Sequence, residues 1–113
     1  MIKIYHNPRC RKSRETLEII RQKGYEPEII EYLLTPPSES ELKDMLQKMN
    51  KKPEDIIRKG EDIFKSEFKG NTYKDEEWIK ILIENPKLIE RPIVVNGDKV
   101  ALGRPPENVK NIL

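Results

Sequence analysis

Ile2-Lys3-Ile4-Tyr5-His6-Asn7-Pro8-Arg9-Cys10-Arg11-Lys12-Ser13-Arg14 is the stretch that decides the fold. Its first residues alternate apolar and polar as a short strand does, and from Thr16 to Lys23 the apolar residues fall at helical spacing. Cys10, the only cysteine, therefore stands where a strand turns into a helix. The first N–H groups of a helix lack internal partners and carry the positive end of its dipole, so a sulfur there is better stabilised as thiolate than as thiol. Arg9, Arg11, Lys12 and Arg14 push the same way. A free thiol with a pKa near 8.5 is only about 3% ionised at pH 7, and lowering it by about two units makes it mostly ionised. The charged neighbours and the Asn7-Pro8 loop make this a poor place for a core side chain, so Cys10 reads as a reactive thiol and not as a small buried hydrophobe. His6, the only histidine, is open between assisting the thiol, orienting the loop and plain structural hydrogen bonding. One Cys and one His with a proline between them fall short of the ligands a zinc site needs, so no bound metal is expected.

At 113 residues the chain reads as one domain with a modest core. Charged residues make up 37% and apolar residues 35%, the balance of a hydrophilic soluble protein. There is no apolar run of about 18 residues and no signal core, which points to the cytoplasm and away from a membrane. A single cysteine excludes an intramolecular disulfide. Any redox cycle that oxidises Cys10 must be completed by a thiol from another molecule. The net charge of +2 is unevenly placed, with four basic groups and no acid over residues 9–14, and such a patch favours anions. An aromatic content of 6% without long cationic clusters argues against nucleic acid as the partner.

The first helix is predicted from about Arg11 or Ser13 to Lys23, with Leu17, Ile20 and Ile19 inward and Gly24 ending it. Glu28 to Tyr32 reads as a second strand, giving β-α-β with a parallel pair. Ser38 and Glu41 form a capping box for a helix whose stripe is Leu42, Met45, Leu46 and Met49. Pro53 starts a short helix with Ile56 and Ile57, ended by Arg58-Lys59-Gly60. Gly60 to Lys74 reads as a polar, mobile stretch pinned only by Ile63, Phe64 and Phe68. Asp75-Glu76-Glu77 opens a helix with Trp78, Ile81 and Leu82 on its apolar face, stopped by Asn85-Pro86. Arg91 to Val95 and Lys99 to Leu102 then read as an antiparallel pair joined by Asn96-Gly97-Asp98, and a last helix runs through Val109, Ile112 and Leu113. This order is that of an α/β, thioredoxin-like domain over 1–113: a central mixed four-stranded sheet, flanking helices and a helical insertion at about 38–86.

With that order go His6-Asn7-Pro8 before Cys10, Ser13-Arg14 and Thr16-Leu17-Glu18 after it, Tyr32-Leu33, Pro36-Pro37-Ser38, Arg58-Lys59, Arg91-Pro92-Ile93-Val94-Val95 and Gly103-Arg104-Pro105. On these motifs the whole chain resembles the arsenate reductase family, in its single-domain type that depends on glutathione and glutaredoxin. The resemblance implies that Cys10 attacks arsenate while Arg58, Arg91 and Arg104 surround the oxyanion. It implies too that Pro92 is the cis-proline that thioredoxin-like domains place beside the active thiol. His6, Ser13 and Arg14 are expected to support the site. Three guanidiniums near a thiolate would lower its pKa and hold a tetrahedral oxyanion through charge-assisted hydrogen bonds. The function so implied is reduction of arsenate to arsenite in the cytoplasm, with glutathione as co-substrate, glutaredoxin as partner and no bound cofactor. Two rivals stand beside it: a thiol-sensing regulator of the same family that binds RNA polymerase, and a monothiol glutaredoxin-like reductase. The chain departs from the family pattern in the basic Arg9, Arg11 and Lys12. It departs from the regulators' Cys-x-x-Cys in having Ser13 at the second position.

Overall fold

Strand β1 (Ile2–His6) runs into helix α1 (Arg11–Gln22), and the chain returns as β2 (Glu28–Glu31), parallel to β1. In the computed structural model, which describes residues 1–113, β3 (Ile93–Asn96) pairs antiparallel with the other side of β1 and β4 (Lys99–Leu102) with β3. The result is the expected mixed sheet, in the order β2-β1-β3-β4. Gly97 makes the β3–β4 turn possible because its φ of 61° lies where side chains are disfavoured.

Alternation along β1 sends Ile2 and Ile4 to the face on which α1 packs. There they meet Leu17 and Ile20 of α1, Val94 of β3 and Val109. Each such burial contributes about 1.5–3 kcal/mol relative to an exposed side chain. Val109 comes from the last element, the helix expected at the end of the chain, which is a 3-10 helix over Pro106–Ile112. These segments, Met1–Thr35 and Arg91–Leu113, make one compact unit.

Pro36–Glu90 makes the other, and the helical insertion read at 38–86 falls inside it. Helix α2 (Glu39–Met49) starts at the predicted capping box. Ser38 Oγ accepts from the Glu41 N–H at 3.1 Å, and Glu41 Oε1 accepts from the Ser38 N–H at 2.8 Å. Two expectations are corrected in this unit. Helix α3 (Asp75–Glu84) buries Trp78, Ile79 and Leu82, with Ile81 only half-buried, because 75, 78, 79 and 82 form the i, i+3, i+4, i+7 stripe and 81 lies at its edge. The stretch Gly60 to Lys74, read as polar and pinned only by Ile63, Phe64 and Phe68, contains a π-helical turn at Phe64–Phe68. Phe64, Phe68 and Tyr73 close around Trp78, with Tyr73 edge-on at 4.7 Å between ring centroids. No helix is long and apolar enough to cross a membrane.

Candidate active site

Cys10 is the N-cap of α1, and the loop that carries it is tied at every turn to Asn7. The Asn7 carbonyl accepts from the Cys10 N–H at 3.0 Å, Asn7 Oδ1 accepts from the Arg9 N–H at 3.0 Å, and the Asn7 N–H donates to Ser13 Oγ at 3.0 Å. Ser13 is fully buried and also hydrogen-bonded to Nδ1 of buried His6 at 2.6 Å. Burial is the main reason the His6 pKa is lowered; Glu31 opposes it, and Arg21 and Arg14 add to it. His6 is therefore neutral at pH 7 and serves as a hydrogen-bonding post for the loop. Arg14 closes the outer side, its Nη1 donating to the Pro8 carbonyl at 3.0 Å.

Burial of the Cys10 sulfur pushes its pKa up, but the Ser13 N–H, the Arg91 guanidinium and the Lys12 N–H together outweigh it, and the net shift is downward. Lys12 and Ser13 are the second and third residues of the helix, whose N–H groups an N-cap side chain can satisfy. The helix start thus acts as the sequence suggests, whereas the four neighbouring cations are not the principal charges on the sulfur. All four are exposed, Arg11 is paired with Glu15 at 2.8 Å, and solvent screens them. The charge that matters comes from the far end of the sequence.

Strand register explains how it gets there. His6 pairs with Glu31, so Asn7 and Tyr32 are level one step beyond. Tyr5 pairs with Ile93, which brings Arg91 level with Asn7, and Ile93 pairs with Leu102, which brings Arg104 level with Arg91. Gly103 N–H donates to the Pro92 carbonyl at 2.9 Å and Arg104 Nη1 to the Arg91 carbonyl at 3.2 Å, confirming the alignment. Tyr32, Asn7, Arg91 and Arg104 therefore form one row across the end of all four strands, against the Cys10 loop. The Arg91–Pro92 bond is cis, as the resemblance implies, and Arg104–Pro105 is a second cis bond that the sequence reading does not anticipate.

The ArsC family model matches residues 5–112. The chain belongs to the ArsC family. Among ArsC relatives, it is 43% identical over 114 residues to the uncharacterized protein YfgD of Escherichia coli K12, across 99% of this chain and 96% of that one. It is 40% identical over 114 residues to the arsenate reductase of Neisseria meningitidis serogroup B, across 99% of this chain and 97% of the relative. The solved arsenate reductase of Vibrio cholerae superposes with a TM-score of 0.94 at 42% identity, across 99% of this chain and 97% of that one. The fold is the thioredoxin-like fold of this family.

Of the residues the sequence singles out in this ArsC chain, Cys10, His6, Ser13, Arg14, Arg91, Pro92 and Arg104 lie in the first unit. There the hydrogen bonds and register above join them. Arg58 lies in the second unit, half-buried, with its guanidinium on Glu61 at 3.1 Å and its N–H donating to the Leu88 carbonyl at 2.7 Å. Sequence reasoning names Asn7, Tyr32 and Gly103 only as members of family motifs and gives none of them a role in the site. Their signal lies in strand register, which needs paired strands to be read. No group of three or more His, Cys, Asp or Glu side chains is gathered to hold a metal ion.

Proposed function

We propose that this chain reduces arsenate to arsenite, with Cys10 as nucleophile and with glutathione and a glutaredoxin supplying the thiols. The observation that carries the reading is a lone thiol with a lowered pKa, held at a helix start beside Arg91. Relatives named arsenate reductases, 40% and 42% identical to this chain across 97% of their own length, support the choice of oxyanion. The Cys10 thiolate attacks arsenic and one oxygen leaves as water, giving an S–As(V) bond. A glutathione thiol then condenses at arsenic with loss of a second water. A glutaredoxin thiolate attacks the glutathione sulfur, forming a mixed disulfide and leaving its electron pair on arsenic, which becomes As(III). Water releases arsenite and restores Cys10. Arg91 and Arg104 neutralise charge on the arsenate oxygens as the S–As bond forms, and the same task is proposed for Arg58 on the family resemblance alone.

The test is arsenate-dependent NADPH oxidation coupled through glutathione, glutaredoxin and glutathione reductase. Cys10→Ser abolishes turnover and Arg58→Ala lowers efficiency by about tenfold or more with the fold intact. Activity that survives Cys10→Ser refutes the mechanism, and an unchanged Arg58→Ala removes that residue from the site. A wild-type protein that is inactive on arsenate but reduces a model glutathione mixed disulfide is a monothiol reductase instead.

A further inference from the structure

Tyr32 is fully buried, with 1% of its surface exposed, and its hydroxyl has no hydrogen bond of good geometry. Buried hydroxyls are almost always paired, and a phenylalanine would fill the same space without the cost of an unpaired polar group. Arg91 Nε is a second buried donor left without a partner. The two residues are at matching positions of the row that crosses the strand ends, on either side of Asn7. The Arg91 guanidinium, the Asn7 side chain and the Cys10 sulfur are all near enough to the phenol to act on it. Two unpaired donors beside one nucleophile suit an acceptor-only group that carries several oxygens. A tetrahedral oxyanion is such a group.

We propose that the Tyr32 hydroxyl donates a hydrogen bond to an oxygen of the oxyanion held at Cys10, making Tyr32 a substrate-binding residue alongside Arg91. The proposal rests on the oxyanion reading of the site. Burial raises the Tyr32 pKa against the opposing pull of Arg91, so the phenol keeps its proton at neutral pH and remains a donor. It is a neutral donor among guanidiniums, so it adds direction to the grip without adding charge.

Tyr32→Phe removes the oxygen and keeps the ring. Alkylation of Cys10 by iodoacetamide is followed in the intact protein with increasing arsenate and no glutathione, beside thermal unfolding and the pH dependence of alkylation without arsenate. The variant is expected to need about tenfold more arsenate for half-protection, a loss of about 1.4 kcal/mol. Its melting temperature should hold or rise, because an unpaired buried hydroxyl is gone. Its alkylation pH profile should match the parent's, since Tyr32 is not among the groups that lower the thiol's pKa. Half-protection at the parental concentration overturns the proposal. So does a variant that loses stability together with protection, since the hydroxyl is then structural. If arsenate fails to protect the wild type, the oxyanion reading of the whole site falls, a result distinct from either.

Discussion

Gly103 has an ordinary backbone φ, so the reason for glycine there must be space. A Cβ at this position would lie 2.6 Å from Thr16 Oγ1, 2.8 Å from Pro92 Cγ and 3.1 Å from Thr16 Cγ2. Neither neighbour yields easily. Thr16 is fully buried and its hydroxyl donates to the Lys12 carbonyl at 2.8 Å, while Pro92 is a buried ring. Overpacking a rigid core costs about 1–3 kcal/mol, and two contacts under 3.0 Å belong near the top of that range. The stiffer unfolded chain of an alanine variant returns about 0.4–1 kcal/mol. Gly103→Ala is therefore expected to destabilise by about 2 kcal/mol, or about 8 °C in melting temperature for a chain of this size. Urea unfolding of Gly103→Ala, Thr16→Ala and the double variant measures it. Thr16→Ala removes both threonine contacts, so the double variant should be more stable than the sum of the single losses by about 1 kcal/mol. A Gly103→Ala protein as stable as the parent, or strict additivity with Thr16→Ala, refutes close approach as the reason for this glycine.

Three further outcomes follow from the site. Cys10 alkylation should show a midpoint below the ordinary thiol range, and Arg91→Met should move it up by removing the guanidinium that favours the thiolate. The folded-state pKa is lowered, so ionisation of Cys10 adds stability as pH rises from that value towards about 8.5, keeps it above, and loses it as pH falls back; Arg91→Met flattens this slope in urea unfolding at stepped pH. Ser13→Ala leaves His6 Nδ1 and the Asn7 N–H without their shared partner and should cost about 2 kcal/mol, read as a lower urea midpoint; an unchanged midpoint would mean that water replaces the hydroxyl.

How much of this was legible in the sequence depends on the distance over which each feature is encoded. The strand, loop and helix around Cys10 follow from alternation, turn residues and helical spacing within about twenty residues, and the structure places Cys10 at the N-cap accordingly. The Ser38–Glu41 box is likewise local, and so is the β3–β4 hairpin. Errors begin where local composition misleads. Charge next to Cys10 in sequence suggested that Arg9, Arg11, Lys12 and Arg14 tune the thiol, yet they point to solvent and a residue eighty-one positions away does more. Scattered aromatics within polar sequence hid the cluster on Trp78 for the same reason. Row membership across four strands is the least local property of all. A shift of one residue in any pairing would turn Tyr32, Asn7, Arg91 or Arg104 to the opposite face.

That sensitivity ties the core to the chemistry. The apolar residues that fix the register, Ile4 beside Ile29 and Val94 and then Val94 beside Ala101, lie three positions from the row itself. Packing of Ile2, Ile4 and Val94 on Leu17 and Ile20 settles which pairing forms, and that pairing delivers Arg91 to Cys10. Gly103 lets the β4 end approach Pro92 and α1 closely enough for the row to close. A substitution in this core can therefore weaken the thiolate without touching it, and Gly103→Ala joined to the Cys10 alkylation profile separates the two consequences. A raised midpoint in that variant shows that the row, and not only the core, has been displaced.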